Sequence, residues 1–353
     1  MTSLAALADE LIATDFSEIP IIDLTDAASP SLEKRELLAK EIRHACLNAG
    51  FFYVKNHPVP SAIINRTFSM SESFFHLPVE AKETVDVSHS SNFRGYMGLL
   101  TENNDPANKG EMHEAFNIGL DPTLAPEVFQ HQEDKRGQGE TEDLEHSENL
   151  WPSQSDWRDA ANFVYERVEQ SSALLKLGQS LFPLFALALD LPENFFDDKI
   201  QHPAAIMRLL HYPAMGNAEV DERTPGIGAH TDFECFTILC QGDVPGLQVQ
   251  NRKGVWIDAV CIPGTFIINI GDQFARWTND IFVSTRHRAL PAKTHPRYSI
   301  PFFFGCDHDV PLIPPPTCVT VDRPWRYQPI TAGKYVKMRL SEVYNVKKDQ
   351  TIS

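Results

Sequence analysis

Ile206-Met207-Arg208-Leu209-Leu210-His211-Tyr212, closed by Pro213, is where the texture of this chain changes. Before it, apolar residues recur mostly at helical spacing. After it come short runs rich in β-branched and aromatic residues, separated by Gly, Pro, Asn and Asp. These runs are Ile206–Tyr212, Phe236–Leu239, Gly246–Val249, Trp256–Asp258, Thr265–Asn269, Val283–His287, Tyr298–Phe304 and Cys318–Val321. Short strands with turn signals between them predict a β-sandwich, jelly roll or barrel.

Upstream, Ile19–Leu24 reads as a short strand. Leu37, Leu38, Ile42, Ala45 and Cys46 share a helical spacing after an N-cap at Ser31, and Gly50 is placed to end that helix. Phe51–Val54 is a second strand, Pro60-Ser61 opens a helix to about His76, and Pro78 starts a shorter one. A long helical region, Asp156 to Asp190, is expected to bend or break near Gly178 or Pro183. A last amphipathic helix runs from Ala332 to Tyr344. The expected organisation is a helix-rich region, 1–204, wrapped on a β core with a C-terminal helix, 205–353, forming one compact unit.

The 353 residues include 18 Gly and 25 Pro, where average usage gives roughly 25 and 18. That many prolines argue against a coiled coil or helical solenoid. The net charge of −17 argues against nucleic acid and anionic membranes as partners. Part of that charge lies in one stretch, 133–148, read as an exposed loop. No stretch looks long and apolar enough to span a bilayer, and the N-terminus lacks a basic signal region. Six cysteines without CxxC spacing fit free thiols in a reducing, cytoplasmic compartment.

The chemistry centres on Gly228-Ala229-His230-Thr231-Asp232. On a strand, residues two apart share a face, so His230 and Asp232 would project together. Two ligands hold a divalent ion loosely, and a third should come from a neighbouring strand. His287, near the end of a strand-like run, is the best placed, with His295 and His308 as rivals. Two imidazoles and one carboxylate leave half the coordination sphere open, which suits non-haem Fe(II). A closed structural zinc site would want a fourth protein ligand. Arg297 and Ser299, again two apart, would offer a guanidinium fork and a hydroxyl to a carboxylate, and Tyr212 could add a phenol.

These residues, with Gly50-Phe51-Phe52-Tyr53-Val54-Lys55-Asn56-His57, Glu114–Gly119, Asn149–Pro152, Gly246–Val249 and Asn269-Ile270-Gly271-Asp272, resemble the isopenicillin N synthase-like family of Fe(II)- and 2-oxoglutarate-dependent oxygenases. The resemblance covers nearly the whole chain. It implies an α+β fold, a double-stranded β-helix or jelly-roll core dressed with N-terminal helices. It further implies His230, Asp232 and His287 as iron ligands, Arg297, Ser299 and Tyr212 as the 2-oxoglutarate site, and O₂ as oxidant, with ascorbate in support. Plant members often carry Asn two residues before that Tyr; Leu210 stands here.

The implied reaction is a dioxygenation yielding succinate and CO₂: hydroxylation, desaturation or ring rearrangement of a small, largely apolar molecule of secondary metabolism. The runner-up is an iron oxidase of the same family that works without 2-oxoglutarate, its RxS pair holding a substrate carboxylate. Phe303, Phe233 and Tyr96 are the aromatic candidates for the substrate pocket.

Overall fold

The computed structural model describes residues 4, 6–8, 15–90, 92–104, 107–120, 148–216 and 223–349, the last eight by backbone only. The acidic stretch 133–148 lies outside these apart from Glu148. Twelve strands form two sheets. In chain order they are β1 (Ile21–Asp23), β2 (Phe51–Lys55), β3 (Gly95–Met97), β4 (Glu114–Gly119), β5 (Ala205–Tyr212), β6 (Ile227–His230), β7 (Phe236–Gln241), β8 (Leu247–Gln250), β9 (Trp256–Asp258), β10 (Thr265–Ile270), β11 (His287–Ala289) and β12 (Arg297–Phe304). The helices are α1 (Leu32–Asn48), α2 (Ser61–Phe75), α3 (Val79–Glu83), α4 (Ala160–Ala188), α5 (Asp272–Trp277) and α6 (Ala332–Asp349).

The large sheet runs β1-β2-β10-β7-β12-β5-β4-β3 and the small one β6-β11-β8-β9. All pairings are antiparallel except β1 with β2. Strands β1 to β4 come from the N-terminal half, so the two halves of the chain share one sheet. This is the jelly-roll core that the resemblance implied.

Alternation along the strands builds two interiors. In β12, Ile300, Phe302 and Phe304 enter the core that α1, α2 and α4 cover, while Arg297, Ser299, Pro301 and Phe303 line a cavity between the sheets. In β5, Met207 and Leu209 face the helices, and Ile206, Arg208, Leu210 and Tyr212 face the cavity. A one-residue slip of either strand would exchange these faces and bury the charged set against the helices.

Helix α4 runs unbroken through Gly178 and Pro183, against the expected bend. An interior proline costs about 3 kcal/mol, but Leu181, Phe182, Leu184 and Phe185 around it are all fully buried. Each contributes about 1.5–3 kcal/mol, so packing outweighs the break. Gly178 is a contact point: the Phe304 ring lies where a Cβ would stand. By length and composition alone α4 is long and apolar enough to cross a membrane, a stretch the sequence pattern did not single out. Here most of its apolar residues are instead buried in the protein core.

Two expected strands are not formed. Of Val283–His287 only the last residue enters β11, because Val283 donates its N–H to the Cys46 carbonyl at 2.9 Å. The segment thus crosses the α1–β2 junction, where Gly50 at φ +65° leaves room for the Val283 carbonyl that a Cβ would strike. Cys318–Val321 gives only a 3₁₀ turn at Pro316–Cys318. Three consecutive prolines before it remove the ladder donors, and Val321 is 97% exposed.

Candidate active site

His287 and His230 are register partners on β11 and β6, so both imidazoles stand on the same face of the small sheet, ring centroids 4.3 Å apart. Each is turned by a backbone carbonyl. His230 Nδ1 donates to Gly228 O at 2.8 Å and His287 Nδ1 to Thr285 O at 3.1 Å. Both Nε2 atoms therefore point at Asp232 Oδ1, 3.5 Å from each. Asp232 does not sit on the strand with His230, as the period-two argument assumed. The strand ends at His230, and Asp232 stands in the irregular chain that follows it.

Asp232 is itself held from behind. Its Oδ2 accepts from Asn269 Nδ2 at 2.7 Å and from the Thr237 hydroxyl, both buried. One carboxylate oxygen is thus anchored and the other left facing the imidazoles. Burial alone would raise the Asp232 pKa, but the charges and hydrogen bonds of His287 and His230 hold it well below the ordinary value. Burial opposes protonation of His230, yet Asp232 outweighs it and raises that pKa. The site favours positive charge beside Asp232, as a cation-binding site must. Two imidazole nitrogens and one carboxylate oxygen on one side fit Fe(II) with open positions opposite. Of the rivals, His295 is exposed on a turn, and His308 lines the cavity without joining the triad.

The triad opens on a cavity of about 290 Å³. Across it stands Arg297, 1% exposed, its guanidinium 4.6 Å over the Tyr212 ring and donating to Ser299 Oγ at 3.3 Å. No carboxylate pairs with it among the described residues, and its Nε is buried without a partner. A buried cation without a counter-charge is costly. A carboxylate of a bound acid would supply what is missing. Gly246 makes the space: a Cβ there would lie 3.1 Å from Arg297 Nε. Leu210, paired with Ser299, also faces the cavity.

Comparison with known proteins finds the same two-part organisation. Residues 203–305 match the 2OG-Fe(II) oxygenase superfamily, and residues 19–154 match the N-terminal region of non-haem dioxygenases in morphine synthesis. A 2-oxoglutarate-Fe(II) type oxidoreductase of Metarhizium rileyi, ppzC, is 35% identical over 94% of this chain and 88% of its own. The chain belongs to the 2-oxoglutarate–Fe(II) oxygenases. Homoarginine-6-hydroxylase 2-ODD-C23 of Glycine max is 32% identical, over 86% of this chain and 90% of its own. The crystal structure of a full-length Neurospora crassa protein in complex with alpha-KG and thymine superposes with a TM-score of 0.77 at 29% identity, covering 92% of this chain and 97% of that one.

As a member of that family the oxygenase uses Fe(II), 2-oxoglutarate and O₂ to oxidise a small molecule, and the reading without 2-oxoglutarate is not favoured. Of the aromatic candidates, Phe233 and Phe303 line the oxygenase's cavity. Tyr96 does not: its hydroxyl donates to Glu114 Oε2 at 2.6 Å, and its ring packs on Phe74. The pairing of β3 with β4 turns it into the helix-side core.

A polar wall that the sequence pattern does not mark also borders the cavity. Arg208, inward on β5, pairs with Glu102 and lies 3.2 Å from His113 Nε2, which is 2.9 Å from Glu102 Oε2. Burial raises the Glu102 pKa, but Arg208 and His113 outweigh it and hold it well below normal. Glu111 Oε1 accepts from the N–H of Gly228 at 2.9 Å, bracing the residue whose carbonyl orients His230. Arg208 shares strand parity with Tyr212 and was legible on that ground. Glu102, Glu111 and His113 sit in irregular chain, where no period reports on facing.

Proposed function

We propose that His230, Asp232 and His287 hold Fe(II), and that Arg297, Ser299 and Tyr212 take the distal carboxylate of 2-oxoglutarate. The observation that carries this reading is the buried, counter-charge-free Arg297 facing the triad across one cavity. Bound there, the metal and 2-oxoglutarate supply the oxidising chemistry. The chain's own part is to fix both imidazoles by backbone carbonyls and Asp232 by Asn269 and Thr237. It also supplies the positive charge that one carboxylate of a dianionic cosubstrate needs.

The substrate is a small molecule with an apolar body and one oxygen acceptor. Phe233, Phe303, Leu247 and Ile227 offer the apolar walls, and Arg208 offers the donor. The relatives support the oxygen acceptor alone: thymine carries ring carbonyls and homoarginine a carboxylate, both groups that a guanidinium can hold. We further propose a cytoplasmic enzyme of secondary metabolism. All six cysteines are free thiols, and the N-terminal match is to dioxygenases of a biosynthetic route.

The test is a screen for succinate release with Fe(II), ascorbate and 2-oxoglutarate against thymine, homoarginine and phenylacetate. A substrate-dependent rise that Arg208→Leu weakens through KM is the expected result. Turnover undiminished when 2-oxoglutarate is omitted would sink the reading.

A further inference from the structure

The 2OG-Fe(II) oxygenase match ends at residue 305, but the cavity continues beyond it: Val336 and Leu340 of α6 stand in its wall. Four residues apart, they share one helix face. On the far side Met338, Lys334 and Lys337 are exposed, so α6 lies on the cavity by a single face. Its first turn is fixed, with Ala332 N–H donating to Val310 O at 2.9 Å and Gly333 N–H to His308 O at 3.0 Å.

Arg339 ties down the next turns. Its guanidinium donates to the Asp272 carboxylate and, at 3.1 Å, to the Tyr335 hydroxyl, and lies 4.5 Å over the ring of Phe233. Asp272 also accepts from the Thr231 hydroxyl at 2.9 Å, and its backbone N–H donates to Asp232 O at 2.8 Å. A continuous chain of contacts therefore joins the α6 wall to the segment that carries His230 and Asp232. Both sides of the ion pair are mostly buried, at 24% and 17% side-chain exposure. They are thus less screened than a surface pair.

We propose that Arg339 is a positioning residue that latches α6 over the cavity, and that Val336 and Leu340 thereby help set which substrates the oxygenase accepts. The proposal rests on the cavity being the substrate site. It adds a wall from outside the matched core. Without the latch the helix stays tethered at Ala332 and Gly333 and opens from Val336 onward.

The latch is read with Val336→Cys alone and combined with Arg339→Gln or Arg339→Lys, following maleimide labelling at position 336 by mass. Labelling is expected to be slow in Val336→Cys and roughly five- to tenfold faster with Arg339→Gln, as loss of a local tie favours opening. Arg339→Lys, which keeps the charge but not the flat stack on Phe233, falls between. Added salt speeds labelling only where the positive charge remains. Equal rates in the Arg and Gln backgrounds overturn the latch. Should Val336→Cys fail to fold, Leu340→Cys carries the same comparison.

The Fe(II)–2-oxoglutarate absorption band, recorded anaerobically, still forms in all these variants. Its absence already in the wild type would instead defeat the site assignment, so the two failures are distinct. For the wall itself, Leu340→Ala and Leu340→Phe are run against thymine, homoarginine and phenylacetate. A changed ranking of KM values supports the proposal, and an unchanged one removes Leu340 from it.

Discussion

Asn269→Ala isolates the support behind the metal site. Asp232 Oδ2 has two buried donors, Asn269 Nδ2 at 2.7 Å and the Thr237 hydroxyl, and the substitution removes one. A hydrogen bond to a charged acceptor contributes about 1.5–3 kcal/mol, which as a binding effect would be roughly tenfold to a hundredfold. The bond is present with and without the ion, however. Only the cost of re-aiming a freed carboxylate appears in the affinity, so the lower end, about tenfold, is expected. The rest appears as lost folding stability, about 1–2 kcal/mol for a buried charge left with one partner fewer. The assay is anaerobic titration of Fe(II) into protein with 2-oxoglutarate, followed by the visible band, with Mn(II) binding by spin resonance as an independent count. Thr237→Val should act similarly, and the double variant should cost more than the sum, since either donor alone still orients the carboxylate. Folded Asn269→Ala protein that binds Fe(II) within twofold of wild type would refute the reasoning.

Arg297→Leu should raise the KM for 2-oxoglutarate by about a hundredfold or more while leaving thermal stability equal or improved. A buried guanidinium without a carboxylate partner costs more than an apolar side chain there; a large drop in Tm would contradict that. Glu114→Gln should destabilise by roughly 3 kcal/mol at neutral pH, because Lys82, bonded to it at 2.6 Å, is left charged and buried. Burial raises the Glu114 pKa, but hydrogen bonds from His211, Lys82 and Tyr96 lower it overall. Its contribution is therefore full above the unfolded carboxyl's pKa and is lost as pH falls through the folded one. Chemical denaturation from pH 7 to 3 should show the wild type and variant converging below about pH 4. Gly178→Ala should cost roughly 1–3 kcal/mol by pushing α4 off the Phe304 ring, measured as a lower denaturation midpoint with an unchanged slope.

How much was legible follows from where each residue sits. Tyr212, Arg297, Ser299 and Phe303 lie on regular strands of a sheet with one face on a cavity and the other on a helical core. There the period of two reports facing without ambiguity, and the register of β5 with β12 brings Tyr212 opposite Arg297. His230 lies on such a strand too, whereas His287 was reached from a run of which only the last residue enters the three-residue β11. Asp232 was reached by a correct pairing on an incorrect element: irregular chain after the strand, not the strand itself, carries its carboxylate to the imidazoles. Tyr96 fails differently. A three-residue strand gives too short a pattern to tell which of two buried faces a ring enters, and Glu114 decided it.

What escaped entirely is the part of the site built by irregular chain and by the far end of the sequence. Glu102 and Glu111 reach the cavity wall, with His113 bonded to Glu102 behind them, through a loop whose order comes from tertiary bonds, such as Met112 N–H to Pro225 O at 2.8 Å. Val336 and Leu340 arrive more than thirty residues after the last core strand. This division has a chemical logic. The reaction common to the family needs fixed geometry at the metal and at one carboxylate, and strands supply it. Substrate choice needs variation, which loops and a terminal helix tolerate without disturbing the sheet. The net charge of −17 illustrates the same separation. It argues about partners at long range, yet the dianion we propose for the cavity would be met locally by Arg297 and by the cation we propose for Asp232 and the two histidines. Bulk charge therefore carries no information on the sign of the ligand, whereas one buried guanidinium lacking a counter-ion does.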